Sequence, residues 1–143
     1  MRKTTRVNSL TPIAVVLILA SAYGFWYKSS RGKIRKVAKP IEGAFSAGIL
    51  GEELGERATL VQFSSAFCTP CRATKALLQN VVADMPDVRH IDIDAEAHLE
   101  LVRKLDIRST PTTLFLDSRG VEVGRAVGAP RRDQVISALS AIR

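Results

Sequence analysis

The order of segments in this chain predicts an α/β fold: a mixed central sheet of four to five strands flanked by helices, preceded by a single transmembrane helix. Three observations predict it. An uncharged apolar run extends from Leu10 to Tyr27. Beyond it, strand-like and helix-like segments alternate twice before a hairpin and a closing helix. The chain's two cysteines lie together in Phe67-Cys68-Thr69-Pro70-Cys71, between a strand signal and a helix signal.

The first element is the apolar run. As a helix it measures about 27 Å at about 1.5 Å per residue, close to the hydrocarbon thickness of a bilayer. It ends in Phe25-Trp26-Tyr27 followed by Lys28, the composition of an interfacial aromatic belt. Basic residues flank it on both sides, which fits a buried soluble helix badly. A cleaved secretory signal is the rival, since Ala20-Ser21-Ala22 matches a small-x-small site behind a basic start. Apolar and aromatic residues continue past that site, which favours an anchor. The expected organisation is a basic tail over 1–9, an anchor over 10–27, a basic linker over 28–40 and a folded domain over 41–143. Lys and Arg are more numerous after the run than before it. By the positive-inside rule this puts the domain of a single-pass cell-membrane protein on the cytoplasmic face; the signal-like N-terminus pulls the other way.

Within the domain, residues 41–57 are rich in Gly and Glu, with a brief helix expected around Ala47 to Leu54. Thr59-Leu60-Val61-Gln62-Phe63 reads as an apolar, β-branched strand, and Arg72 to Ala83 as an amphipathic helix. Val88 to Asp94 alternates apolar and polar residues, a second strand. Glu96 to Leu105 is helical, with Ala97, Leu101, Val102 and Leu105 on one face. Thr112 to Leu116 and Val121 to Val127 form a hairpin across Asp117-Ser118-Arg119-Gly120. Asp133 to Ala141 closes the chain as a helix with Val135, Ile136 and Leu139 inward. Crossover helices make the first two of these strands parallel neighbours.

Charge separates the two parts of the chain. Nine of the 21 Lys and Arg precede Pro40, where there is no acidic residue. The remaining 12 face all 14 Asp and Glu, so residues 41–143 carry about −2. The basic excess belongs to the N-terminal segment, and the domain offers no aromatic-basic stripe for nucleic acid. A membrane surface is the partner that basic flanks imply.

Two residues between cysteines at a helix start let the sulfurs meet. The first then lies at the positive end of the helix dipole, where a thiolate is favoured. Inert buried thiols have no reason to flank Thr-Pro. A metal site needs about four ligands, and beside the cysteines only His90 and His98 remain as nitrogen ligands, too far apart for a finger; no metal or cofactor is expected. A structural disulfide across so short a loop would constrain the unfolded chain little. Reversible dithiol–disulfide chemistry is left.

On these residues, 58–142 resemble thioredoxin. The likeness runs through Leu60-Val61-Gln62-Phe63, Cys68-Thr69-Pro70-Cys71, Ile91-Asp92-Ile93-Asp94, Thr110-Pro111-Thr112, the Gly120 turn and Val127-Gly128-Ala129. With its apolar run the whole chain looks like the membrane-anchored thioredoxin-like proteins of actinobacteria. There is no room for the helical insertion of DsbA-like oxidants. The resemblance implies that Cys68 attacks a partner's disulfide and Cys71 resolves the mixed disulfide. It implies a cis-prolyl bond before Pro111, facing the cysteines, with Phe67, Thr69, Pro70, Thr110 and Pro111 meeting substrate.

The chain departs from the family where Gln62 replaces a buried Asp that helps move the resolving cysteine's proton. Gln hydrogen-bonds but does not titrate. His90 replaces a neighbouring Lys, so Gln62 and His90 are a candidate proton-transfer pair. Phe67 replaces a Trp and keeps a flat apolar surface; Ser64 replaces another aromatic and loses one. Residues 41–57 are too short for the family's complete first strand and helix. The function implied is membrane-tethered protein-disulfide reduction, with protein disulfides and an electron donor as partners. An oxidant of exported proteins and a redox-inert peptide-binding module remain open.

Overall fold

The computed structural model describes residues 10–30, 32–36, 45 and 47–142. The expected basic tail, 1–9, and residues 37–44, where linker was expected to meet domain, lie outside them. The chain divides into two compact units, Met1–Ser30 and Arg31–Arg143.

The first unit is the helix α1, Leu10–Ser30. Its large apolar side chains from Ile13 to Tyr27 are exposed, and Tyr23 packs its ring against Trp26 and Tyr27. The expected transmembrane helix needs correcting to this extent: the run is helical, but among the described residues no helix is long and apolar enough to cross a membrane. The side chains described in α1 cover only 11–27.

The second unit is a five-stranded mixed sheet with helices on both faces. Its elements are β1 (Ile34–Lys36), α2 (Ala47–Leu50), β2 (Ala58–Ser64), α3 (Thr69–Val82), β3 (Val88–Asp94), α4 (Leu99–Lys104), β4 (Thr112–Asp117), β5 (Glu122–Val127) and α5 (Arg132–Ser140). The strand order is β1-β5-β4-β2-β3. β2 and β3 are parallel across the α3 crossover, as expected. β4 runs antiparallel to both β2 and β5.

Strand alternation builds two cores. Odd positions of β2, Val61 and Phe63, join Ile91, Ile93, Leu114, Leu116, Leu105 and Ile107 on one face. Even positions, Ala58 and Leu60, join Val88, Phe115, Ala126 and the helix residues Leu78, Val81, Val135 and Leu139 on the other. The β4–β5 turn closes on Asp117, whose Oδ1 accepts from the N–H groups of Arg119 and Val121. Gly120 sits there at φ +76°, and a Cβ on it would lie 2.3 Å from the Phe45 carbonyl oxygen.

Three expectations change. Residues 34–36, read as linker, are the edge strand β1, with Ile34 opposite Ala126 and Arg35 opposite Arg125. The Gly32 N–H donates to the Val127 carbonyl just before it. Nothing local marks this strand; the free edge of β5 supplies its hydrogen bonds. It makes the sheet five-stranded. The first helix stops at Leu50 rather than 54. α4 begins at Leu99 rather than Glu96, because Asp94 Oδ1 takes the Glu96 N–H in a turn, and Ala97 is exposed.

Candidate active site

β2 delivers the chain to the cysteines. After Ser64 it turns through Ser65-Ala66-Phe67, and the Cys68 N–H donates to the Ser65 carbonyl at 3.2 Å. Cys68 is the N-cap of α3, with extended backbone, and its Sγ accepts the Cys71 N–H at 3.2 Å. Pro70 falls in the first turn, where a missing N–H leaves no helix bond unmade. α3 therefore starts three residues before the expected Arg72, and the motif forms its first turn.

The two sulfurs are joined, with Cα atoms 5.2 Å apart. Their surroundings differ. Cys68 is half-buried, whereas Cys71 is 2% exposed on the inner face of the helix. No acidic residue lies in the first turn of α3, so nothing there opposes the dipole's preference for a negative sulfur. Phe67, Thr69 and Pro70 are exposed around Cys68, Phe67 at 97%.

Thr110-Pro111 is a cis peptide, as the resemblance implied. Its position follows from sheet register. Thr112, the first residue of β4, pairs with Phe63, so Pro111 precedes β4 where β2 runs out toward Cys68. Ser65 Oγ and Thr110 Oγ1 meet at 3.3 Å across this gap. The Gly128 N–H holds the Pro111 carbonyl at 2.8 Å. Pro111 is buried and Thr110 half-buried. The prolyl bend and the loop entering the cysteines are thus hydrogen-bonded neighbours.

Below Cys71 lies Gln62, 0% exposed. Its Nε2 donates to the Cys71 carbonyl at 2.9 Å and to Ser64 Oγ at 3.0 Å. The expected Gln62–His90 pair is not formed. Parallel register puts Asp92 opposite Gln62 and sets His90 opposite Leu60, two residues back along the strand. His90 Nε2 is buried with no hydrogen-bond partner among the described residues. Burial holds the His90 imidazole below its ordinary pKa; Asp92 works against this and Lys75 with it.

The residue the sequence reading passed over is Asp92. It accepts from the Ser64 hydroxyl through Oδ1 and from Lys75 Nζ through Oδ2, the latter at 2.8 Å. Ser64, read only as an aromatic lost, is a connector. Parallel pairing of the two strands places 62 and 92 side by side, and Lys75 lies one helical turn beyond Cys71; those spacings were the available signal.

A half-exposed sulfur bonded to a buried one at a helix start is a site for thiol–disulfide exchange. The thioredoxin family model matches residues 39–141. Thioredoxin of Mycolicibacterium smegmatis is 30% identical over 102 residues, covering 69% of this chain and 88% of that one. Thioredoxin H5 of Oryza sativa subsp. japonica is 32% identical over 84 residues, 57% of this chain; the chain spans only 62% of that protein's length. The solved structure of thioredoxin NaTrxh from Nicotiana alata superposes with a TM-score of 0.55 at 25% identity, covering 62% of this chain and 75% of that one. By the extent of the family match, as much as by the joined cysteines, the chain belongs to the thioredoxin family.

Proposed function

We propose that this thiol–disulfide oxidoreductase reduces protein disulfides while held at a membrane by its N-terminal helix. The observation that carries the redox reading is the asymmetry of the pair: an accessible Cys68 at the N-cap of α3, bonded to a buried Cys71. In the dithiol form, Cys68 attacks as thiolate on one sulfur of a substrate disulfide and releases the other as a thiolate. Cys71 then attacks Cys68 Sγ, closes the Cys68–Cys71 bond and frees the second substrate sulfur. Two electrons pass to the substrate, whose sulfurs take up two protons. An external dithiol restores the enzyme by the reverse exchange. Phe67, Thr69, Pro70, Thr110 and Pro111 form the lip on which an extended substrate lies.

Support for the tether comes from the apolar side chains of α1, exposed all around the helix, and from the continuous uncharged run Leu10–Tyr27 between basic segments. The larger number of Lys and Arg after the run than before it supports a domain on the cytoplasmic face, where cysteines are kept reduced.

Insulin reduction with dithiothreitol as donor tests the chemistry. The full chain turns over, Cys68→Ser falls to background, and Cys71→Ser accumulates mixed disulfides with its substrates. Equal turnover by Cys68→Ser would end the proposal. Alkaline carbonate extraction tests the tether: the chain stays with the membrane pellet, and its release into the supernatant removes that half. Protease protection of spheroplasts reads the side, cleavage only after lysis supporting the cytoplasmic face.

A further inference from the structure

One peptide group stands between the N-terminal edge of the sheet and the prolyl loop of the lip. The Val127 carbonyl accepts the Gly32 N–H at 2.7 Å, and the N–H of the next residue, Gly128, donates to the Pro111 carbonyl at 2.8 Å. Both bonds fall just outside regular pairing. β1 pairs with β5 from Ile34 opposite Ala126, and β4 pairs with β5 from Thr112 opposite Val127. The Val127–Gly128 peptide is thus bonded on both sides, to Gly32 through its oxygen and to Pro111 through its nitrogen.

Side chains give this peptide little hold. Val127 and Ala129 are exposed and Gly128 is half-exposed, while Pro130, further on, is buried. Hydrogen bonds therefore set its place. A peptide whose oxygen accepts a hydrogen bond is polarised and donates more strongly from its nitrogen. Fixing the peptide from the Gly32 side thereby strengthens and aims the bond to Pro111.

Position 32 admits glycine only. Gly32 is buried at φ +77°, and a Cβ on it would run into the Ala129 carbonyl, whose carbon would lie 2.9 Å away. Backbone is thus pressed on backbone, on the side of β5 that faces away from β4. We propose that Gly32 is a positioning residue of the redox site: it clamps the Val127–Gly128 peptide, which holds the Pro111 carbonyl and so fixes the lip for an extended protein substrate. Two strands separate β1 from β2, so Gly32 touches neither sulfur. A residue that the sequence assigns to a linker thereby completes the recognition surface. The inference deepens the disulfide-reductase reading, rests on it, and is independent of the membrane tether.

Insulin reduction and amide exchange in the full chain, held in detergent micelles, test it together. Gly32→Ala should raise KM for insulin several-fold at nearly constant kcat, with the Cys68–Cys71 reduction potential unchanged. It should also speed exchange of the Gly128 amide. Gly51→Ala is the control: Gly51 too has a positive φ, +73°, but a Cβ there meets nothing within 4 Å. This variant carries the strain of a left-handed alanine without touching the loop, and should leave KM and Gly128 exchange as they are. An unchanged KM in Gly32→Ala overturns the proposal, and so does an equal rise in Gly51→Ala. A shifted potential in Gly32→Ala also overturns it, by placing the effect on the sulfurs. Failure of Gly32→Ala to fold does so as well, by making the residue a requirement of the fold. The unsubstituted chain gives an independent check, since fast exchange of its Gly128 amide would deny the clamp without any variant. Absent insulin reduction by that same chain would be the failure of the redox reading, seen before a variant is made.

Discussion

The lip and the floor of the redox site are built by opposite means. The lip is exposed: Phe67 at 97%, with Thr69 and Pro70 beside it, on a loop between β2 and α3. The floor is closed: Cys71, on the inner face of α3, and Gln62, on the interior strand β2, are both buried. Surface that touches solvent in the free protein costs little to alter and is free to bind. A packed floor transmits any change of volume or hydrogen bonding to the sulfur above it. In the proposed function, recognition belongs to the lip and the resolving sulfur to the floor.

The largest effect should come from the floor. Leu60→Ala removes a wholly buried side chain between α3 and the sheet and should cost about 2–5 kcal/mol. Urea unfolding of the disulfide form measures it; a loss below about 1 kcal/mol would mean that the floor yields more easily than its packing implies. The lip should behave in the opposite way. Phe67→Ala should leave unfolding within about 0.5 kcal/mol of the unsubstituted protein. Its KM for insulin should rise several-fold at nearly constant kcat. A fall in kcat at unchanged KM would deny Phe67 its part in binding.

The smallest expected effect is a pH slope from the edge of the floor. Burial lowers the pKa of His90 in the folded state, only partly offset by Asp92. As pH falls below about 6.5, the unfolded chain takes up this proton before the folded one. The His90 contribution to stability is therefore full above that pH and declines until the folded imidazole also protonates. His90→Gln should flatten the melting temperature over that interval. Asp87 and Asp106, held low chiefly by hydrogen bonds from Arg57 and Arg108, lose their contributions further into acid. An unchanged slope in His90→Gln would place the titration elsewhere.

The lip was more legible in the sequence than the floor. Cys68, Pro70 and Phe67 follow one another, and a strand signal running into a helix signal sufficed to put them at a helix start. Thr110-Pro111 needed the family resemblance, because a lone X-Pro reads as an ordinary loop breaker. The floor joins residues nearly thirty positions apart. Gln62 was singled out with His90, but the neighbour that reaches it through Ser64 is Asp92. A strand pattern tells which side chains share a face and leaves open which residue of the next strand stands opposite.

The same division holds for the fold. Val88 to Asp94 was bounded correctly because alternation is a property of consecutive residues, and α3 and α5 announced themselves by their apolar stripes. β1 did not. Three residues with one apolar side chain carry no periodicity, and Ile34-Arg35-Lys36 is a strand only because the edge of β5 offers its backbone partners. Consecutive residues determined the elements and the cysteine chemistry, since propensity, capping and spacing act over a few bonds. Tertiary structure alone decided the fifth strand, the partner of Gln62 and the orientation of its amide, because those depend on hydrogen bonds between segments that meet only when the sheet has formed.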